Sequence, residues 1–509
     1  MENIDLPREF PLWERLEKHA DAILIQDEGG EKRGRQLRDG AACLSAHIVR
    51  LGIKPGDRVL MCVPPGAAYV ETLIAIWRSG GVALPLALSH PPAEWTYFAT
   101  DVEARHVIAH GRMEEPIAAW AKREGLHCVL HSELDRTPQP LIEEASHTKT
   151  QPEDDAMILY TSGTTSRPKG VVFSHGQLEC HIQTLCDAWQ WTSTDRVLHV
   201  LPLHHVHGIV NLLLCSLWSG ARCEFVPRFQ AEDVWRRFRE DDLTVFMAVP
   251  TIYQKLMDAF EEMKPDDQKR SRHKAASFRL MVSGSAALPE SLFRQWERAT
   301  SQTLLERYGM TEIGMALSNP YDGPRLPGTV GAPLPGVEVR LVDEDGAEVK
   351  TEPAQGEIQV KGPGVFKRYW KRESATKEAF TAQGWFRTGD MAERKDGIFR
   401  ILGRNSVDII KTGGYKVSAL EIESVFLQHP AIRACAVVGL PDTTWGEQVV
   451  LVLEKGAHGS VSEDALWAFA REHLAPYKIP KSVQMVDILP RNALGKLQKT
   501  ILIERLKQG

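Results

Sequence analysis

The sequence predicts an α/β protein, with a large N-terminal domain of layered β-sheets and flanking helices followed by a small α+β domain. Short apolar runs alternate with segments of helical spacing through the first third of the chain, and such alternation favours sheets covered by helices. The chain has 509 residues, which is too long for one ordinary core, so two or three packed units are expected. Near residue 404 the β/α pattern restarts, and this marks the start of the small domain.

Each predicted element rests on a run of apolar residues that is bounded by turn-forming or charged residues. Helices are predicted at 35–52, 67–78, 94–101, 209–218, 418–428 and 463–474. Strands are predicted at 56–63, 81–85, 107–109, 156–160, 171–173, 243–249, 278–282, 337–342, 356–360, 409–411, 434–440 and 448–453. Because Gly and Pro are frequent beyond Asn319, the alternating segments there predict a small antiparallel sub-domain.

The loop at 160–170, Tyr-Thr-Ser-Gly-Thr-Thr-Ser-Arg-Pro-Lys-Gly, lies between two of these strands and suits a phosphate group. Glycines let backbone N–H groups turn inward, while hydroxyl groups and a lysine add further donors. The residues that carry this prediction are Thr161, Ser162, Gly163, Thr164, Thr165 and Lys169. A nucleotide-hydrolase P-loop is excluded, because Pro168 stands where that motif needs glycine and a strand follows instead of a helix. A polar surface turn is the alternative.

Composition and charge narrow the classes of partner. The formal net charge is −6 and the pI is about 6.3, so no overall basic field exists to bind nucleic acid. No apolar run reaches the length of a membrane span, and the acidic, polar start of the chain predicts a cytosolic location. The eight cysteines are scattered without a C-x-x-C pair, and we interpret them as buried reduced thiols. The chain is expected to be a monomer or a homodimer.

Two further groups of residues point to a site. Histidines at 199, 204, 205 and 207 suggest a metal, but no cysteine or acid accompanies them, so a corner that presents His207 and Gly208 to a ligand cavity is favoured. Glu312 follows a predicted strand, and close to a phosphate loop its carboxylate would suit Mg²⁺. Taken alone, Glu312 would more often be a surface acid.

Six motifs resemble, in order and across nearly the whole chain, those of the adenylate-forming acyl-CoA synthetases. They are the loop at 160–170, Leu201–Gly208, Tyr308–Glu312, Gly384–Asp390, Gly403–Arg404 and Pro490–Lys496. The resemblance implies that ATP and a carboxylate form an acyl-adenylate and pyrophosphate, after which the thiol of coenzyme A displaces AMP. It also implies domains at 1–403 and 404–509, of which the small one rotates between the two steps about a hinge near Arg404.

The resemblance assigns roles residue by residue. Residues 161–165 and Lys169 would bind the β- and γ-phosphates, and Lys496 would bridge the α-phosphate and the substrate carboxylate. The implied catalytic residues are Lys496, Thr311, Glu312 and His207, with Glu312 also holding Mg²⁺. The other implied ATP ligands are Gly284, Ser285, Tyr308, Asp390 and Arg404, and the loop Gly413-Gly414 would serve thioester formation. The chain departs from the family pattern at Ser166, usually glycine, and at Ser406, usually Asp or Lys.

The acid is indicated by Arg307, which precedes the Tyr308–Glu312 motif as it does in malonyl-CoA synthetases. The stretches Leu201–Gly208, Met247–Tyr253, Leu305–Met315 and Ser406–Glu421 also resemble that group most closely. A guanidinium beside the acyl pocket would hold a second carboxylate through two hydrogen bonds, and Lys255 is a weaker candidate. Malonate is therefore the predicted substrate, with methylmalonate second.

Other interpretations stay open on sequence alone. The alternative for Arg307 is a salt bridge with Glu306 or a neighbouring acid. The alternative functions are a synthetase for a medium-chain fatty or aryl monocarboxylate, an adenylating enzyme that loads a carrier protein, and a non-catalytic ligand-binding relative.

Overall fold

The computed structural model describes residues 11–134, 149–161, 168–455, 462–492 and 495–508. Within these ranges the largest sheet has nine strands, and its six central strands run parallel. From edge to edge the strands are Ala332–Pro333, Gly314–Ser318, Leu305–Met310, Leu280–Ser283, Val245–Ala248, Arg196–His199, Arg222–Phe225, Ile23–Asp27 and Gly30–Arg33.

The second mixed sheet has seven strands, and two of its pairs are antiparallel. In order the strands are Arg368–Tyr369, Lys169–Ser174, Asp155–Thr161, Val82–Pro85, Arg58–Cys62, His106–Ala109 and His127–Leu130. One continuous core contains side chains of both sheets, together with those of helices between them. Two further cores cover the outer faces, so the two sheets alternate with layers of helix.

The helices of this region are Leu12–Lys18, Gly34–Arg50, Ala67–Arg78, Pro92–Asp101, Glu114–Glu124, His175–Ala188, His207–Leu214, Cys215–Ser219, Ala231–Glu240, Pro250–Glu261, Pro265–Ala275, Glu290–Thr300 and Glu373–Ala379, with 3₁₀ turns at Gly111–Met113, His131–Glu133 and Thr311–Ile313. Local chemistry fixes several of their starts. Ser174 and Gln177 form a reciprocal capping box at the start of His175–Ala188. Pro250 occupies the first turn of its helix, where a missing N–H costs nothing. The segment His207–Leu214 is a π-helix, a form frequent at functional sites.

A four-stranded antiparallel sheet, Glu338–Val342, Ala354–Lys361, Phe386–Lys395 and Ile398–Arg404, follows the nine-stranded sheet. After it comes a five-stranded sheet of Tyr415–Ser418, Ile409–Thr412, Gly446–Glu454, Cys435–Asp442 and Ser482–Val486. Its helices are Ala419–Phe426, Glu463–His473 and Lys499–Gln508, with a 3₁₀ turn at Pro476–Lys478. The five-stranded sheet has apolar cores of its own.

The predicted layered α/β fold is confirmed, and the predicted strands and helices coincide with observed ones to within a few residues. The prediction missed the hairpin Ile23–Asp27 and Gly30–Arg33, whose first strand has an apolar run of only three residues and whose second strand is polar and largely exposed. It also extended the helix at 418–428 beyond its observed end at Phe426. None of the helices in the described ranges is both long and apolar enough to cross a membrane.

Candidate active site

The strands on either side of the predicted phosphate loop pair with each other, and Thr161 lies opposite Lys169. The base of the loop is held by three hydrogen bonds: the Tyr97 hydroxyl to Pro168 O at 2.7 Å, the Tyr160 hydroxyl to Asp101 at 2.6 Å and Trp370 N to Gly170 O at 2.8 Å. The strand–loop–strand arrangement is therefore confirmed. Ser162, Gly163, Thr164 and Thr165, with the departure at Ser166, lie outside the described residues.

Tyr369 lies between the two charged residues expected at the triphosphate. Its hydroxyl donates to Glu312 Oε1 at 2.9 Å, and Lys169 Nζ lies 5.1 Å from the centre of its ring. Phe366 N also donates to Glu312 O at 2.8 Å. Glu312 is buried on the 3₁₀ turn that begins at Thr311, and burial raises the pKa of its carboxyl group, whereas hydrogen bonds with its own backbone and with Tyr369 oppose the shift.

Asp390 joins two elements that the sequence keeps far apart. The Tyr308 hydroxyl donates to Asp390 Oδ2 at 2.6 Å, and Arg404 Nε lies 3.3 Å from Oδ1. Asp390 and Arg404 are also paired on neighbouring antiparallel strands. Burial and the adjacent carboxylate raise the pKa of Tyr308, so its hydroxyl group stays a hydrogen-bond donor. Three of the predicted ATP ligands therefore converge at one point.

Lys496 is exposed, and its ammonium group interacts electrostatically with Arg404, Asp390 and Asp408. The preceding residue, Gly495, packs so closely on the large domain that an added Cβ would lie 2.6 Å from Thr251 Oγ1. We call the segment Pro490–Gln498, which carries Lys496, the lysine loop. Through Gly495 the lysine loop contacts the start of helix Pro250–Glu261, and Lys496 lies near the carboxylate of Asp390.

Arg307 is buried, with 4% of its surface exposed, on the sheet face that looks toward the π-helix. Its nearest polar contact is Ser285 Oγ at 3.4 Å, and Ser285 Oγ in turn lies 3.2 Å from His207 Nδ1. Gly284 makes room for the guanidinium, because a Cβ there would lie 2.5 Å from Arg307 Cζ. Gly284, Ser285, His207 and Arg307 therefore form one group, which we call the arginine cluster.

The arginine cluster contains unpaired polar atoms. Arg307 Nε and His207 Nε2 are buried without a hydrogen-bond partner in the described part of the chain, and none of its ion pairs includes Arg307. Burial lowers the pKa of Arg307 to about 10, with Glu306 opposing the shift. Burial, and then the positive charge of Arg307, holds the pKa of His207 well below its ordinary value, so the imidazole is neutral.

The expected alternative, a salt bridge from Arg307 to Glu306, is not what the structure shows. Neighbouring residues of a strand face opposite sides of the sheet, and Glu306 Oε1 accepts a hydrogen bond from Leu288 N at 3.2 Å on the far side. Lys255 is also apart from the arginine cluster. It is exposed on its helix, and its ammonium group lies 6.0 Å from the centre of the Phe229 ring.

Gly413 and Gly414 form the two-residue turn between strands Ile409–Thr412 and Tyr415–Ser418. Both have positive φ, +55° and +83°, as a type I′ hairpin turn requires. Exposed aromatic rings surround the turn: the Trp445 ring packs against Gly413, and Tyr415 stacks on Tyr477 with ring centres 4.4 Å apart. The predicted turn is confirmed, and the aromatic surface beside it was not predicted.

Sequence reasoning missed Tyr369 among the residues at the site. It is 57 positions from Glu312 and lies on a two-residue strand, too short to give a pattern. Most other predicted positions within the described ranges fall into two groups, one around Asp390 and Glu312 and the other around Arg307, whereas Lys255 and the Gly413-Gly414 turn lie apart from both. Their roles stay predictions, which the next subsection develops.

Comparisons with known proteins match nearly the whole chain. The model of the AMP-binding enzyme family matches residues 12–370, and that of the AMP-binding enzyme C-terminal domain matches residues 421–496. A mitochondrial malonate–CoA ligase from Mus musculus is 45% identical over 97% of this chain and 90% of its own. A malonate–CoA ligase from Arabidopsis thaliana is 41% identical over 90% of this chain and 79% of its own.

Among solved structures, ATP-bound MatB from Rhodopseudomonas palustris superposes with a TM-score of 0.88 at 34% identity, over 98% of this chain and 99% of the MatB chain. The similarity therefore extends over both family models and over the fold. The chain belongs to the AMP-binding family of adenylate-forming acyl-CoA synthetases, as its six ordered motifs predicted.

Proposed function

We propose that this enzyme is a malonate–CoA ligase, which converts malonate, ATP and coenzyme A into malonyl-CoA, AMP and pyrophosphate. The observation that carries the proposal is the buried guanidinium of Arg307, which has no acidic partner in the described structure. A buried unpaired charge costs several kcal/mol, so the site is suited to a ligand that brings a carboxylate of its own. The malonate–CoA ligases from mouse and Arabidopsis support the same substrate.

Malonate has two carboxylates, and the arginine cluster suits the one that does not react. Arg307 supplies the charge and planar donors for it. When Ser285 donates to Nδ1 of His207, Nε2 carries the proton and is a second donor for the same substrate. Because a site built around a paired charge rejects analogues that lack it, acetate should be a poor substrate. Methylmalonate, with one added methyl group, is the second candidate.

In the first step a carboxylate oxygen of malonate attacks the α-phosphorus of ATP, and pyrophosphate leaves. This brings two anions together, so the residues must neutralise charge rather than transfer protons. Lys169 would bind the β- and γ-phosphates with residues 161–165, and Thr311 and Lys496 would contact the α-phosphate. Asp390 would accept the ribose hydroxyls, held in place by Tyr308 and Arg404.

Glu312 is the residue that would hold Mg²⁺, together with phosphate oxygens of the substrate. A buried carboxylate is the oxygen donor that this cation prefers, so the residue fits. When bound, Mg²⁺ neutralises part of the charge of the triphosphate.

In the second step the sulfur of coenzyme A attacks the acyl carbonyl carbon, its proton passes to solvent, and AMP leaves. We assign the domains to 1–403 and 404–509, with rotation near Arg404 bringing the Gly413-Gly414 turn to the site. Trp445 and Tyr477, exposed by 43% and 39%, offer flat surfaces for the adenine ring of coenzyme A. Lys478 and Lys481, close to these two rings, suit its phosphates.

The test is pyrophosphate release from purified enzyme, ATP and Mg²⁺ with malonate, methylmalonate, acetate or octanoate, each with and without coenzyme A. We expect kcat/KM for malonate to exceed that for acetate or octanoate by at least about 100-fold. Equal or better use of octanoate would contradict the proposal. Malonate-dependent exchange of pyrophosphate into ATP without CoA-dependent turnover would instead indicate an enzyme that loads a carrier protein. A cytosolic location and a monomeric or homodimeric state complete the proposal.

A further inference from the structure

Three charged side chains are buried together in the small domain. Lys499 Nζ lies 2.6 Å from Asp408 Oδ1 and 2.7 Å from Glu423 Oε1. The side chains of Lys499, Asp408 and Glu423 are only 6%, 16% and 12% exposed. None of the three has a part in the chemistry proposed above. We call them the lysine triad.

The two acids of the lysine triad connect Lys499 to different parts of the chain. Asp408 Oδ2 accepts a hydrogen bond from the backbone N–H of Arg404 at 3.0 Å, so it is bound to the proposed hinge. Glu423 Oε1 accepts one from Val437 N at 2.7 Å, which binds it to the core of the five-stranded sheet. One acid therefore connects Lys499 to the hinge, and the other connects it to the interior of the small domain.

Lys499 itself ends the loop that carries Lys496. That loop is closed by hydrogen bonds from Asn492 N to Lys496 O at 2.9 Å and from Gln498 N to Pro490 O at 2.7 Å. Lys499 follows at once as the first residue of helix Lys499–Gln508. The lysine loop is consequently held between Thr251 of the large domain and the ammonium group of Lys499.

Asp408 and Lys499 keep their charges although both are buried. Burial favours the neutral forms, but Lys499 lowers the pKa of Asp408, and the two acids raise the pKa of Lys499. A buried ion pair contributes little net stability, because desolvation offsets the attraction, although it fixes geometry closely. A role in alignment therefore accounts for this cluster better than a role in stability.

We infer that the ion pair between Asp408 and Lys499 is a positioning element, which fixes the Lys496 loop relative to the hinge so that Lys496 meets the α-phosphate during adenylation. The inference rests on the proposed two-step reaction. Asp408 and Lys499 act through Lys496 and touch no substrate. Thioester formation, for which Lys496 is not needed, should depend on them much less.

The experiment measures the two half-reactions separately in the full-length enzyme. Adenylation is followed by malonate-dependent exchange of labelled pyrophosphate into ATP, and thioester formation by reaction of pre-formed malonyl-adenylate with coenzyme A. We expect Asp408→Asn and Lys499→Met to slow adenylation by roughly 10- to 100-fold, the range for a misplaced catalytic group. The second half-reaction should change by less than about threefold, and Lys499→Arg should restore part of the adenylation rate.

Glu423→Gln is the matched control, because it removes an acid from the same triad without touching the hinge. It should change both half-reactions by the same factor. If Asp408→Asn also slows both equally, or slows neither, the inference is wrong. If Lys499→Met fails to fold, the double variant Lys499→Met/Asp408→Asn removes both charges and takes its place. If the wild-type enzyme adenylates a different acid, the proposed substrate is wrong, and the same half-reactions with that acid still test the inference.

Discussion

The Tyr308 hydroxyl lies 2.6 Å from Asp390 Oδ2, and Tyr308 directly follows Arg307 in the same strand. One strand thus carries a residue proposed to act at ATP, Tyr308, directly beside the residue proposed to bind the acid, Arg307. Strand Leu305–Met310 belongs to the nine-stranded sheet and contacts Asp390, so under the proposed roles its position would set the distance between the ribose and the acyl group.

Removal of the Tyr308 hydroxyl should weaken ATP binding. Tyr308→Phe leaves Asp390 with one hydrogen-bond donor fewer, and we expect KM for ATP to rise about 3- to 10-fold, as for the loss of about 1 kcal/mol. Tyr253→Phe is the control, because that buried hydroxyl donates to Val282 O at 3.0 Å in the core. The control should lower thermal stability and leave KM for ATP unchanged. Equal values of KM in both variants would contradict the role of Asp390 at the ribose.

Arg307→Leu should abolish the preference for a dicarboxylate. The variant removes the positive charge that a second carboxylate needs, so kcat/KM for malonate should fall at least about 100-fold, equivalent to about 3 kcal/mol. ATP binding, measured by calorimetry, should change by less than about threefold. Arg307→Lys keeps the charge but loses the planar pair of donors. Its kcat/KM for malonate should therefore lie between those of wild type and Arg307→Leu. A uniform loss of ATP and malonate binding would indicate a structural role instead.

The pH dependence of stability should reflect Glu306. Burial raises the pKa of Glu306 from 4.5 to about 8, in spite of the hydrogen bond from Leu288 N. Below pH 4.5 both folded and unfolded states hold the proton, so the residue costs nothing. As the pH rises toward 8 the unfolded state loses the proton first, and the free energy of unfolding falls by about 2 to 4 kcal/mol.

Urea denaturation of wild type and Glu306→Gln at pH 5.5 and 8.5 checks this. The variant should gain stability relative to wild type at the higher pH, since the amide keeps an acceptor for Leu288 N and carries no charge. Glu290→Gln removes the same charge from a less buried neighbour and should weaken the dependence on pH only slightly, because burial rather than Glu290 is the main cause of the raised pKa of Glu306. If the free energy of unfolding changes equally with pH in wild type and Glu306→Gln, Glu306 is not the cause of the pH dependence.

Trp445→Ala should impair the second half-reaction alone. The ring packs against Gly413 at the turn proposed to serve thioester formation. We expect KM for coenzyme A to rise about 5- to 50-fold, in line with the loss of one base-stacking contact. Pyrophosphate exchange without coenzyme A should be unaffected. Leu51→Ala, which removes an exposed apolar side chain on another surface, should alter neither measurement. A fall in exchange for Trp445→Ala would contradict the assignment.

Sequence patterns were sufficient to predict a helix or strand wherever its apolar run is long or its contacts are local. The strands at 156–160 and 171–173 were predicted because each is a buried run flanked by polar residues. The π-helix at His207 was predicted only as a helix, since over eight residues its period differs too little from 3.6 to be read. The pairing of Tyr369 with Glu312 and that of Asp408 with Lys499 depend on tertiary packing, which no local pattern encodes.

Arg307 shows most clearly the difference between what the sequence predicts and what depends on tertiary packing. The motif beside Arg307 identified it, whereas only the structure could show that no acid among the described residues pairs with it. Lys255 is also a cationic residue, and the sequence alone made it a second candidate. The structure distinguishes the two, because Lys255 is exposed on its helix and Arg307 is buried.

The adjacency of Glu306 and Arg307 on one strand has a consequence for the evolution of substrate choice. A strand displaced by a single position would present a carboxylate, rather than a guanidinium, to the acyl pocket. The sign of the charge that the pocket accepts is thus encoded in strand register as well as in residue type. Replacement of Arg307 by an acid, or exchange of these two neighbours, would accordingly reverse the charge of the arginine cluster and favour acids that carry an amino group.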